Sequence, residues 1–469
     1  MKKLFALLLA FALFAAACGD DGGDDAADAE GGDAAVEDDS SGDGDSDAPA
    51  DDGEPADEEP ADEEPADDPV ELTASSDGVT AETIKIGIAS IDTEALLQFG
   101  FDLGNVPLEP LLDSWATTLN DNGGVNGRTV ELVYDIFLPI GDDEQAETCL
   151  IMMEDENVFM VIGQFVGDNP LCITETYGRP YVGHFGETPD RQERSNGLFF
   201  ATEISQLPQR IGGVTRMIQN GDLDGKAVAL TWGPSVDAVY ADAVRPILAD
   251  AGINVVQEIE IGDFGEDQVA ADDAWDVAIE VIQSAGAEVI VHVSNIVPPL
   301  DALGRAEVDD ITLAFTNGQA ADGTTVVGQS TAPDSVRENS FAITTFKPSA
   351  EEGLADPGVV RCLDEFEAAG GDMSTLELDN DDFANGIVNW CRAFRLTTAI
   401  LEAAGPDLNP ESFIAGGESL GDIALPAMAE GSITADKHSA GGLLIRYEYV
   451  PDDEDGQYVA VGEPFSAFG

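Results

Sequence analysis

Apolar and polar residues along this chain fall into two alternating rhythms. Short apolar, β-branched runs at residues 84–90, 128–134 and 158–163 are separated by stretches with helical spacing. The first helical stretch ends in the turn Asn120-Asp121-Asn122-Gly123-Gly124-Val125-Asn126-Gly127. Strand, helix, strand, helix, strand is the order of a parallel sheet with crossover helices. Such sheets hold ligands beyond the carboxyl ends of their strands, which puts a site near residues 91–100 and 164–168. Residues 169–176 read as a helix, 180–184 as a buried strand and 185–189 as another strand-end loop.

The same pattern then repeats. A helix at 207–219 opens a second block with strands at 227–231, 254–261, 289–293 and 313–315. Helices at 239–251 and 275–285 lie between them. Beyond a strand at 340–344 the chain turns helical, at 359–369, 383–404 and 409–415, and closes with a hairpin, 442–450 and 457–461. Two α/β blocks of similar order and size predict two similar lobes facing each other.

Composition changes the picture at the amino terminus. Lys2 and Lys3 precede the apolar run 4–17, which ends in small residues directly before Cys18. A basic start, a short apolar run and a small-residue cleavage point form an export signal. The run is too short to span a membrane comfortably, which takes about 20 apolar residues. Ala15-Ala16-Ala17-Cys18 followed by Gly19 and Asp20 resembles a bacterial lipoprotein signal. That resemblance implies cleavage before Cys18 and a lipid on its thiol and new amino terminus. Residues 19–80 then carry 26 Asp and Glu and no Lys or Arg, with Pro-Ala-Asp-Glu-Glu recurring at Pro55 and Pro60. A self-repelling segment that cannot bury a core predicts an extended, disordered tether over 18–80.

The net charge is −75, and removing the two signal lysines and the 26 tether acids leaves −51 for residues 81–469. Only four lysines follow the signal. So acidic a chain is unsuited to nucleic acid and anionic lipid, which need basic patches. Export places the four cysteines other than Cys18 in a disulfide-permissive compartment. Of three possible pairings, the sequence-local one, Cys149–Cys172 with Cys362–Cys391, is favoured, each bond joining neighbouring helices. No CxxC pair or His cluster supports zinc, and no metal or cofactor is expected.

Catalytic motifs are missing from the sequence. It contains no GxSxG, HExxH or GxGxxG. Gly221-Asp222-Leu223-Asp224-Gly225-Lys226 is short for a phosphate loop and precedes a strand, so it reads as a turn. The turn 452–456 lacks the spacing of a calcium loop and reads as a hairpin turn. His184 and His292 sit in apolar strand segments and His438 in a loop, with no nucleophile as an obvious partner, so packing is expected for each. No catalytic residue is assigned, and an exported hydrolase has no motif to support it.

From residue 83 onward the chain resembles the type 1 extracytoplasmic solute-binding proteins of the branched-chain amino acid group, the receptors of ATP-driven importers. The resemblance rests on residues 84–90, Gln98-Phe99-Gly100, the stretch 119–127, Tyr134-Asp135, Val161-Ile162-Gly163 and the late helix 383–405. It implies two Rossmann-like α/β lobes with parallel sheets, joined by three crossovers that close on a solute like a hinge. Lobe 1 is then 83–202 plus 346–446, and lobe 2 is 203–345 plus 447–469. Partners implied are a small solute, the membrane permease of an ABC transporter and, through the lipid on Cys18, the membrane; a monomer is expected. A sensory lipoprotein reporting to a membrane receptor stays open beside the transport reading.

Carried over by position, the resemblance makes Phe99 the cleft aromatic. It puts Val166, Gly167 and Asp168 on the loop that often offers a Ser hydroxyl, and Glu187 and Thr188 on the next loop. In lobe 2 it points to Asp237, to Asp263 or Glu266 as an acidic partner for an ammonium, and to Ser294, Asn295 and Asn317. Asp168 and Glu187 would repel a solute carboxylate unless protonated or paired. An amino acid, amide or related compound is the solute the resemblance implies; unless the two acids merely cap helices or face solvent, a cationic, amide-like or otherwise uncharged one is the expectation.

Overall fold

The computed structural model describes residues 72–96, 106–139, 143–233, 237–262, 268–294, 298–316, 330–451 and 456–468. Five parallel strands form the first sheet: β1 (Thr83–Ile91), β2 (Thr129–Phe137), β3 (Met160–Gly163), β4 (Tyr181–Gly183) and β5 (Phe199–Ala201), in the order β2-β1-β3-β4-β5. All four residues of β3 are buried, as expected of a strand covered on both faces. Helices Leu108–Asp121, Pro357–Ala368, Asp381–Ala404 and Pro410–Glu418 cover one face. Helix Asp143–Leu150 and the π-helical turns Ile151–Asp155 and Cys172–Thr176 cover the other.

The second sheet holds β6 (Ala227–Trp232), β7 (Asn254–Glu260), β8 (Val289–His292), β9 (Thr312–Phe315), β10 (Ser340–Thr345), β13 (Leu443–Val450) and β14 (Gln457–Ser466), ordered β14-β13-β10-β9-β8-β6-β7. β6 to β10 run parallel, while β13 and β14 pair antiparallel at the edge. Helices Gln206–Asn220 and Ala238–Asp250 pack on one face, Gln268–Ser284 and Pro298–Arg305 on the other. β11 (Gly421–Ile423) and β12 (Gly431–Ile433) make a separate small hairpin.

The chain passes between the sheets three times, after β5, after β10 and before β13, and the passages hold one another. Ala440 N donates to Ala201 O at 2.8 Å, Ala201 N to His438 O at 3.0 Å and Phe346 N to Leu443 O at 2.9 Å. β13 lies whole in the second sheet, so residues 443–446, assigned above to lobe 1, belong there. Its pairing with β10 decides this, and pairing between strands about a hundred residues apart leaves no local sign.

The other boundary also moves. Residues 72–80, read above as the end of the tether, are folded onto the first sheet. Val79 is buried. The buried Arg128 guanidinium donates to Thr80 O, Thr73 O and Pro406 O, and Arg179 pairs with Asp77 at 2.5 Å. The stretch carries a single acid, Asp77, and two cations and one apolar anchor hold it to the fold.

The disulfides are Cys149–Cys172 and Cys362–Cys391, with Cα–Cα distances of 6.4 and 6.3 Å. The glycine-rich turn is structural. Gly124 has φ +67°, and a Cβ there would lie 1.9 Å from the Arg128 carbonyl. Asn120 closes the turn by bonding both Val130 N and Val130 O, at 2.7 and 2.9 Å.

Candidate functional site

The carboxyl ends of the parallel strands in the two sheets point toward the space between the lobes, as the strand-end rule requires. Beside the three crossovers this space holds a cavity of about 1230 Å³. Its floor includes Ser90 and Gln164, where Gln164 Oε1 accepts from Ser90 Oγ and from Ile91 N, both at 3.2 Å. Trp390 and Asn389 form one wall. Below them the buried Arg392 donates to Pro426 O and Ala427 O at 2.9 and 2.8 Å. Those bonds fix Ala427, a non-glycine residue at φ +50°, against the cavity. Lys347 and Glu203, from two different crossovers, pair at 3.3 Å.

On the first lobe's rim the loops after β3 and β4 meet. Val166 N donates to Gln145 Oε1 at 2.9 Å, and Gly167 turns the chain at φ +61°. Thr188 is the N-cap of helix Pro189–Arg194, its hydroxyl accepting from Arg191 N at 3.3 Å. That helix carries Arg191, whose Nε lies 3.3 Å from Asp168 Oδ1, and Arg194, whose Nη1 lies 3.3 Å from Asp168 Oδ2. Asp168 is therefore offset by two guanidinium groups. The terminal nitrogens of Arg191 hydrogen-bond to nothing among the described residues. The charge of Arg191 acts on Glu187 in its own lobe and on Tyr240 of the second.

Glu187 points away from that group. It is buried, and its Oε1 accepts from Ser205 Oγ at 2.6 Å. Burial raises its pKa above the ordinary carboxylate value, against the pull of Ser205, His438 and Arg191. The next ring along, His184, is buried edge-on against Trp390, 4.4 Å between centroids. Burial, helped by the Arg392 charge, lowers its pKa to about 3, so the imidazole is neutral. His292 bonds Thr231 Oγ1 at 3.0 Å, and His438 stacks on Phe200 at 4.3 Å, so all three histidines pack as the sequence predicts.

The second lobe's rim is built on two buried charges. Asp237 accepts from Ser294 Oγ, and burial raises its pKa while Ser294 and Arg210 lower it. Gly233 is required between them, because a Cβ there would sit 2.6 Å from Ser294 Oγ and 2.8 Å from Asp237 Oδ2. Arg210 is fully buried; it donates to the Thr316 carbonyl and to Gln209 Oε1 and lies 5.5 Å from the centre of the Tyr240 ring. Burial pushes Tyr240 up to about 12, and its hydroxyl donates to Gln206 Oε1 at 2.7 Å.

Of the residues expected at the site, Asp168 and Thr188 come together at Arg191, with Val166 and Gly167 just before Asp168 on its loop. Asp237 and Ser294 pair with each other, and Glu187 turns toward the crossovers. Phe99, Asp263, Glu266, Asn295 and Asn317 lie outside the described residues, as do Cys18 and residues 452–455. The repulsion expected of Asp168 and Glu187 is relieved on both sides, by pairing for the first and by a raised pKa for the second. Arg191 and Arg210 were not singled out above. Their signal was rarity, since 19 Lys and Arg face 94 Asp and Glu in this chain. Among the described residues no group of three or more His, Cys, Asp or Glu is placed to hold a metal ion, and no helix is long and apolar enough to cross a membrane.

A family model described as periplasmic binding protein matches residues 112–447. Among solved structures, a solute-binding protein of an ABC transporter from R. palustris, in complex with 4-hydroxybenzoate, superposes with a TM-score of 0.56. It is 16% identical and covers 82% of this chain and 97% of its own. An ABC transporter substrate-binding protein from Desulfitobacterium hafniense, in complex with Leu, has a TM-score of 0.53 at 16% identity and covers 81% of this chain and all of its own. A type 1 periplasmic binding protein from Bordetella pertussis gives 0.53 at 15% identity, with coverage of 81% and 100%. At these identities the likeness is one of fold. No curated protein sequence matches.

Proposed function

The chain belongs to the periplasmic binding protein family, and we propose that it captures a small carboxylate-bearing solute between its lobes and delivers it to an ABC importer. The observation that carries the choice of solute is Arg191. It stands in the first turn of the helix after the β4 loop, positioned through the Thr188 cap and one side of Asp168, with its terminal nitrogens uncommitted among the described residues. A guanidinium with a free fork matches a carboxylate in both charge and shape. The exposed side chains of Phe185 on the first lobe and Val239 on the second suit an apolar body attached to that carboxylate. The solutes in the R. palustris and D. hafniense complexes, 4-hydroxybenzoate and Leu, each contain one.

Capture works by closure. As the lobes approach, water leaves the cleft, and the few directed hydrogen bonds left between protein and solute gain strength in the lower dielectric. The closed pair of rims is then the shape a permease reads. Cleavage before Cys18 and lipidation there would place the receptor on the outer face of the cytoplasmic membrane, with the acidic segment as its spacer.

Isothermal titration of the purified protein with paired acids and primary amides of the same carbon skeleton tests the reading. Acids are expected to bind at least about tenfold more tightly, the scale of one charge-assisted hydrogen bond. Equal affinity for acid and amide would reject the carboxylate. Mass spectrometry of the native protein identifies the carried solute, and that of the N-terminal peptide shows whether Cys18 bears lipid.

A further inference from the structure

One buried polar chain is used by neither solute contact nor core packing. Glu187 Oε1 accepts from Ser205 Oγ at 2.6 Å, Ser205 Oγ shares a hydrogen bond with Ser439 Oγ at 2.9 Å, and Ser439 Oγ accepts from Ser205 N at 3.1 Å. Glu187 belongs to the loop after β4. Ser205 lies in the first crossover and Ser439 in the third, 234 residues away in sequence. The backbones interlock as well. Gln206 N donates to Glu187 O at 3.2 Å, and a Cβ on Gly186 would lie 1.9 Å from Ile204 O. The rim loop and two of the three crossovers are therefore bonded to one another. Crossovers are where a two-lobed molecule absorbs the dihedral changes of closure.

We propose that Glu187 is a positioning residue of the hinge: as a neutral acid it fastens the β4 loop to the first and third crossovers, and on ionising it lets them part. The groups facing it come from each neighbouring element. Ser205 and Ser439 come from the crossovers, Lys437 and His438 from the turn before the third crossover, and Arg191 from the helix after the loop. Each of the last three has contacts elsewhere. Lys437 Nζ is held by Ser432 O, Ser439 O and Ala440 O, His438 Nε2 lies 3.1 Å from Glu418, and the Nε edge of Arg191 faces Asp168. Glu187 Oε2 has no hydrogen-bond partner among the described residues and is out of contact with solvent. A carboxylate in that position lacks both water and a contact ion, whereas a protonated carboxyl loses little and still accepts from Ser205. Ionisation then favours arrangements of the crossovers that admit water, and Thr188, the next residue, carries the change to the cap of the Arg191 helix.

The role in solute capture rests on the carboxylate-receptor reading above, but the hinge claim does not, and the test separates them. Hydrogen exchange of the crossover amides, Ser205, Ala440 and Gly441, is measured on the full solute-free chain at matched pH for wild type and Glu187→Gln, whose amide copies the neutral acid. At about pH 5 the two are expected to exchange alike. Near pH 8 the wild-type amides are expected to exchange about tenfold faster than those of Glu187→Gln, relative to helix Leu108–Asp121 in the same molecules. Matching rates at every pH would overturn the proposal, as would faster exchange of Glu187→Gln at about pH 5. Ser205→Ala serves if the glutamine variant does not fold. It should show the fast exchange at both pH values, and slow wild-type-like exchange at low pH would count against the fastening. Failure of every tested acid to bind, with the exchange difference intact, would reject the solute reading alone.

Discussion

The two rims that face each other across the cleft use the same parts differently. Each has a buried carboxyl accepting from a serine hydroxyl, Glu187 from Ser205 and Asp237 from Ser294, and each has an arginine nearby. On the second lobe all the parts belong to one lobe: Asp237, Ser294 and Arg210 are buried together at the ends of β6, β8 and β9. On the first lobe they are divided. Asp168 takes up Arg191, and Glu187 is left to the crossovers. The second rim thus keeps its charges within one lobe, whereas the first divides them between an arginine beside Asp168 and an acid bonded to the crossovers.

Arg210→Met should have the largest effect. It strands the Thr316 carbonyl and removes the cation near Asp237, so denaturant titration should show a loss of about 3 kcal/mol, typical of a broken buried charge cluster. A stability within 1 kcal/mol of wild type, roughly the size of a surface pair, would mean that the second rim is not held together by charge.

Acid should distinguish the rims next. His184 titrates in the fold at about 3, below its ordinary value of 6.5, so it is neutral when folded and takes up a proton on unfolding. The stability this contributes is present above pH 6.5 and is lost as pH falls toward about 3, a slope expected to total a few kcal/mol. His184→Phe should flatten that part of the stability profile; an unchanged slope would show that the imidazole is not held neutral.

Serine deletions give a smaller contrast. Ser205→Ala leaves Glu187 without its donor and opens the link to Ser439, an expected cost of about 2 kcal/mol, while Ser294→Ala should cost about 1 because Arg210 still faces Asp237. The reverse order would invert the assignment of the two rims. Arg191→Met should move stability least, by under about 1 kcal/mol, because the methionine keeps the packing of this largely buried side chain and Arg194 still pairs with Asp168. It should still weaken binding of a carboxylate solute by at least about tenfold. A stable variant with unchanged affinity would take the solute away from this rim.

Much of the architecture could be read along the chain. Alternation and helical spacing marked most strands and helices of both sheets to within a few residues, because periodicity and turn chemistry act over neighbouring positions. The glycine-rich turn and the local pairing of Cys149 with Cys172 and Cys362 with Cys391 were legible for the same reason. Shorter elements, too brief for an apolar period to repeat more than about twice, were not legible, among them helices Ala350–Ala355 and Pro298–Arg305 and the hairpin of β11 and β12.

The strand-end rule located the cleft, but the identity of each partner inside it depended on packing. Asp168 and Glu187 look alike as loop acids, and only the folded chain sends one to Arg191 and the other to Ser205 and Ser439. Residues 72–80 continue from the tether with no Lys or Arg of their own, and only the folded chain brings Arg128 and Arg179 against them. Local pattern settles where the backbone bends, since that is decided within a few residues. Which charge finds which partner is decided across hundreds of residues, by burial that raises the cost of any carboxyl left without one.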